Sequence, residues 1–148
     1  MDVYEDEVHF YQQTTVTREW HPKGHPKRLW SYPGRQKTAY FGFMIPKTGE
    51  LFTYECPKST WETTITAIRS FLAKLPEGMK VRIIMDNAPW HKKASRLIRS
   101  DPVYADIAAR IEILPLPPYS PDLDPIEQIW PYPYSSAVWG VCTQAFYA

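Results

Sequence analysis

At 148 residues, 44% of them hydrophobic and 22% charged, the chain has room for one domain with a proper core and is too apolar for general disorder. A net charge of +1 argues neither for nor against a polyanionic partner. Cys56 and Cys142 lack zinc-like spacing and can form at most one disulfide, which leaves a reducing cytosol as the default. No stretch approaches the length of a membrane span, and the acidic start "MDVYEDE" is no signal peptide.

The first element, "VYEDEVHFYQ", alternates and is expected to be a strand. Tyr4, Asp6, Val8 and Phe10 share one face, while Glu5, Glu7 and His9 share the other and are expected to point away from the core. A carboxylate on the apolar face is unusual, so Asp6 is a candidate functional acid; the plainer reading is a paired charge on an edge strand. A basic stretch follows, with Arg18, Lys23, Lys27, Arg28, Arg35 and Lys37 against the single acid Glu19. Interleaved Trp20, Trp30 and Tyr32 suit phosphate contact and base stacking, although a solvated hairpin has the same composition.

"TAYFGFMIP" and "GELFTYEC" read as two strands joined by a turn at Lys47-Thr48-Gly49. "STWETTITAIRSFLAKLP" reads as a helix with a capping box from Ser59 to Glu62, burying Trp61, Ile65, Ile68, Phe71, Leu72 and Leu75. "KVRIIMD" is a short apolar strand ending in Asp86, the place where α/β sheets put their ligands; Asp86 with Asn87 would equally cap the next helix. "WHKKASRLIRS" reads as that helix, "VYADIAAR" as a weaker one, and "IEILPLP" as a last strand. Strands first and then alternation imply α/β with a mixed sheet.

After that strand, "PPYSPDLDPIEQIWPYPY" prepares a helix and breaks it at once with Pro131 and Pro133. Glu127 stands where a capping-box glutamate would stand after Asp124 and Pro125. It is also the third acid by position. Asp6, Asp86 and Glu127 together are what phosphoryl transfer on nucleic acid needs: carboxylates that hold two hard divalent ions about 3.5–4 Å apart.

"IIMDNAPWH" followed by "LPPYSPDLDPIEQIW" resembles the catalytic core of DDE transposases, specifically the mariner superfamily and its bacterial insertion-sequence relatives. "YEDEVHFY" and "REWHPKGHP" resemble the opening of that core, and the resemblance runs from residue 4 to 130. It implies an RNase H-like fold, two Mg²⁺ or Mn²⁺ ions held by Asp6, Asp86 and Glu127, and cutting and joining of DNA at transposon ends. DNA is then the partner, as transposon end and target, with a homodimer as a further option and no membrane. A cytoplasmic, nucleoid-associated place in a bacterium goes with it. His91 matches a histidine frequent after the second acid and is expected at a DNA phosphate or in the outer shell of a metal; a surface histidine on the first turn of a helix is the alternative. Trp61 and Trp130 are expected in the core.

Two departures from the family pattern stand out. Residues 1–130 are expected to form the catalytic core, without the helix-turn-helix domains that normally precede it. Residues 131–148 carry no charge at all, and read as a truncated or frame-shifted end or as a divergent tail. The interval between Asp86 and Glu127 is also somewhat longer than is usual in mariner relatives. An inactive remnant that at most binds nucleic acid, and a structure-specific nuclease of the same fold, are the competing readings.

Overall fold

The computed structural model describes residues 1–11, 22–24, 37–118, 120 and 123–128. Arg18, Lys27, Arg28, Arg35, Trp130, Cys142 and the uncharged tail lie outside the described residues. Five strands form one sheet in the order β3-β2-β1-β4-β5. β1 (Asp2–Tyr11), β2 (Lys37–Ile45) and β3 (Glu50–Cys56) make an antiparallel meander. β4 (Val81–Met85) and β5 (Ile111–Pro115) continue it in parallel with β1, so the sheet is mixed, as its element order implies. The β2–β3 turn closes on Ile45 O, which accepts from Thr48 and Gly49 N–H, and Gly49 supplies the positive φ of 74°.

β1 lies at the centre with both faces covered, so its alternation does not separate core from solvent. Val3 and Glu5 are buried on the face that meets α1 (Trp61–Leu72) and α2 (Pro89–Ser100). There Phe41, Phe43, Ile65, Ile68, Phe71, Ile83 and Ile98 form the main core. Phe43 and Phe71 stack at 4.7 Å, and each fully buried aliphatic or aromatic side chain contributes about 1.5–3 kcal/mol. The opposite face carries a smaller cluster of Val8, Met44 and Ile126, with Tyr4, Phe10, Tyr40 and Leu51 packed against it. Asp6 belongs to this second face, by its phase with Tyr4, Val8 and Phe10.

The start of α1 differs from the expected Ser59–Glu62 box. Thr60 is the N-cap, its hydroxyl accepting from Thr63 N–H while the Thr63 hydroxyl accepts from Thr60 N–H. Ser59 is displaced from that role by His9, whose Nε2 lies 3.2 Å from its hydroxyl. Trp61 packs at the rim of the core, with the Lys93 ammonium 4.6 Å from its ring centre. The weakly helical "VYADIAAR" becomes a 3₁₀ turn (Pro102–Tyr104) and the four-residue α3 (Ala105–Ala108). No helix among the described residues is long and apolar enough to cross a membrane.

Candidate active site

The register of β1 and β4 pairs Tyr4 with Ile84 and Glu5 with Met85. Asp6 and Asp86 are the next residue on each strand, so the two candidate acids stand side by side at the end of the central parallel pair. This is where the polar ends of parallel strands open to a ligand. Asp6 is partly buried and Asp86 is half-exposed.

The backbone turns sharply after Asp86, and the side chain of that residue holds the turn. Asp86 Oδ1 accepts the Ala88 N–H at 2.8 Å and faces His91 Nδ1 at 2.6 Å. The expected cap is therefore shared out: Ala88 occupies the N-cap position of α2 and Asp86 satisfies its N–H. Asn87 turns aside to donate to Leu116 O, which ties the end of β4 to the chain leaving β5. The hydrogen bond from His91 holds the Asp86 carboxyl below the usual range, against the opposing effect of burial.

His91 is not a surface DNA contact. It is 1% exposed, and buried with Ala94 and Ile98 on the inner face of α2. Nδ1 binds Asp86, while Nε2 lies 3.4 Å from Glu5 Oε2 and 3.1 Å from Glu7 Oε1. Glu7 also accepts the Trp90 indole N–H. Burial alone would lower the pKa of His91, but the Glu5 charge, the hydrogen bond to Asp86 and the Glu7 carboxylate beside Nε2 raise it to about 11. Burial pushes Glu5 well above the ordinary carboxylate range, with the His91 charge opposing. Glu5 and Glu7 thus face inward rather than away, a consequence of β1 being covered on both sides.

Glu127 lies on a single 3₁₀ turn, Pro125–Gln128, that packs on β1 and β2. The turn is docked by Ile126, fully buried against Val8 and Met44, which puts Glu127 on the Asp6 face of the sheet. Asp124 begins the turn as expected of a cap: its Oδ1 accepts the Ile126 N–H and its carbonyl the Glu127 N–H, each at 3.3 Å. Asp124 is itself buried, and its carboxyl is pushed up to about 6, first by burial and then by the charges of Glu127 and Asp86. Four acids therefore gather at this end of the sheet: Asp6, Asp86, Asp124 and Glu127. Among the described residues, however, the side chains whose donor atoms all lie within 4.8 Å of one another are Glu5, Glu7 and His91. The expected triad is brought to one end of the sheet without being drawn into so tight a group.

A row of cations borders Asp86. α2 carries Lys92, Lys93, Arg96 and Arg99 and no acid, and its exposed Lys92, Arg96 and Arg99 line a groove with Asp86, Asn87 and Pro115. Of the basic residues expected at DNA, Lys23 is exposed in a turn and Lys37 is exposed at the start of β2.

Residues 2–132 match the family described as DDE superfamily endonuclease. The fold is RNase H-like, and it resembles several solved chains. One is in a simian T-cell lymphotropic virus intasome in complex with the PP2A regulatory subunit B56 gamma, with a TM-score of 0.59 and 11% identity over 99% of this chain and 42% of that one. A second is in the Mos1 strand transfer complex, with a TM-score of 0.58 and 18% identity over 97% and 40%. A third is in a mariner Mos1 paired-end complex with Mg, with a TM-score of 0.55 and 22% identity over 84% and 38%. The chain spans about two fifths of the length of each of these. No curated protein matches it.

Proposed function

The chain belongs to the DDE superfamily of endonucleases, and on that premise we propose that it is the metal-dependent DNA-cutting and strand-transfer core of a transposase. The observation that carries this reading is the placement of Asp6 and Asp86 one residue beyond the last paired rung of β1 and β4, with Glu127 on the Asp6 face. The donors are carboxylate oxygens on a rigid frame, which fits Mg²⁺ or Mn²⁺. Bound there, two such ions supply activation of the attacking oxygen and stabilisation of the leaving one.

The chain's own residues do the rest. Asp86 is held by two bonds to Oδ1, so Oδ2 is the oxygen that can turn to a ligand without breaking the turn after β4. Asp6 is fixed by the sheet. Glu127 is positioned by Ile126, and Asp124 beside it can hold a proton near pH 6, which keeps the negative charge around Glu127 in check. Lys92, Arg96 and Arg99 offer the DNA backbone a cationic path that ends at Asp86, supporting sequence-poor binding by phosphate contact.

One observation favours a second reading, a chain that binds DNA without cutting it: Glu127 rests on one 3₁₀ turn instead of a helix. The deciding experiment is nicking of supercoiled plasmid by the purified chain in Mg²⁺ or Mn²⁺, beside Asp86→Asn and Glu127→Gln. Metal-dependent nicking by the parent alone supports the endonuclease. Salt-sensitive binding with no nicking by any of the three supports the second reading, and equal nicking by all three refutes the assignment of the acids.

A further inference from the structure

The cluster of Glu5, Glu7 and His91 lies on the α-helical face of β1, opposite to Asp6, and the proposed reaction does not use it. Glu5 is fully buried, yet among the described residues neither of its oxygens has a hydrogen-bond partner, and the same holds for Nε2 of the buried His91. Leaving such groups unsatisfied is costly, and more so when they are charged. The other ring nitrogen explains what Nε2 presents. Asp86 is an acceptor, so Nδ1 is the nitrogen that donates, at 2.6 Å, and Nε2 is turned toward two carboxylates. A ring nitrogen facing two carboxylates needs a positive charge between them. A ring proton is one source of it, but neither contact of Nε2, at 3.1 and 3.4 Å, has hydrogen-bond geometry.

The distances suit an ion better. Donors bound at 2.0–2.2 Å around a tetrahedral zinc stand about 3.3 Å apart. The geometry points to a second metal centre, separate from the three-acid site, in which Glu5, Glu7 and His91 Nε2 hold one d-block divalent cation of the Zn²⁺ class. One imidazole and two carboxylates are a ligand set for such a cation, whereas Mg²⁺ prefers oxygen alone and retains its water. Asp86 then stands as the carboxylate that orients a metal-bound histidine, and Trp90 as the donor that steadies Glu7. The ion pins β1 to the first turn of α2 and, through His91, fixes the carboxylate of Asp86 from behind.

The test is metal content. The full chain, refolded with zinc chloride and dialysed against metal-free buffer, should retain one Zn²⁺ per chain by elemental analysis. The Co²⁺-loaded chain should show the intense visible absorption of a four-coordinate site. Glu127→Gln should keep the Zn²⁺, and His91→Gln and Glu7→Gln should lose it. Because Glu127→Gln alters only the other site, this result is independent of whether the chain cuts DNA. No retained Zn²⁺ in the folded parent, with both His91 ring nitrogens protonated by NMR, overturns the proposal in favour of an imidazolium. Zn²⁺ retained unchanged in folded His91→Gln also overturns it. If that variant does not fold, the Co²⁺ spectrum of the parent decides, and a six-coordinate, weakly absorbing Co²⁺ counts against the site.

Discussion

Ile126→Ala separates the docking of Glu127 from its chemistry. Ile126 is fully buried, while Leu123 on the same segment is 53% exposed. Among the described residues, the 3₁₀ turn is held on β1 and β2 chiefly by one side chain set between Val8 and Met44. Removing a buried isoleucine down to alanine costs about 2–5 kcal/mol, and a cluster this small places the loss near 2–3 kcal/mol. At about 1.4 kcal/mol per tenfold, that lowers the docking equilibrium constant of Glu127 roughly thirty- to hundred-and-fifty-fold. The main core lies on the other face of the sheet, so the urea midpoint of the whole domain should move much less than the docking does. Initial rates of plasmid nicking and the Mg²⁺ affinity by calorimetry should both fall, by up to that factor, with Leu123→Ala as an unaffected control. Nicking by folded Ile126→Ala within twofold of the parent refutes the reasoning, since Glu127 would then be held by something else or not be needed.

Asp124 should set a pH dependence. Its folded pKa, about 6, lies above the ordinary value of 3.8, so protonation favours the fold and the stability it contributes is lost as pH rises through 6. Asp124→Asn, which can still accept the Ile126 N–H, should melt above the parent at pH 8 and close to it near pH 4; a lower melting temperature at pH 8 contradicts this. Lys92→Gln with Arg96→Gln should weaken DNA binding about equally on all sequences and reduce the salt slope by about two. Loss confined to one sequence would mean that α2 reads bases.

Much of the frame was legible because its signals are local. The alternation of β1, the period of α1 and the apolar run into Asp86 identify strand, helix and strand, and the two acids fall on or just beyond adjacent strands. The cap of α1 was misplaced by one residue, since Ser59 is claimed by His9 from fifty residues away, a partner no local pattern reveals. Glu5 and Glu7 were expected outside because period two implies one wet face. A central strand flanked in parallel by β4 and covered by α1 and α2 has none. His91 carried a usable signal: with Ala94 and Ile98 it follows the i, i+3, i+7 spacing of a buried helical stripe. The cations of α2 were equally visible, as a helix with four basic residues and no acid, beside the longer basic stretch that precedes β2. Burial of Asp124 beside Glu127 depends on how the last turn docks, which the motif alone does not contain.

The central claim is that Asp6, Asp86 and Glu127 share two hard divalent ions. Anomalous diffraction from crystals of the chain grown with Mn²⁺ and a DNA end tests it most directly. The account predicts two Mn²⁺ peaks about 3.5–4 Å apart between these three carboxylates, lost in Asp86→Asn. Mn²⁺ peaks elsewhere on the chain, with none touching Asp6 and Asp86 together, would contradict it.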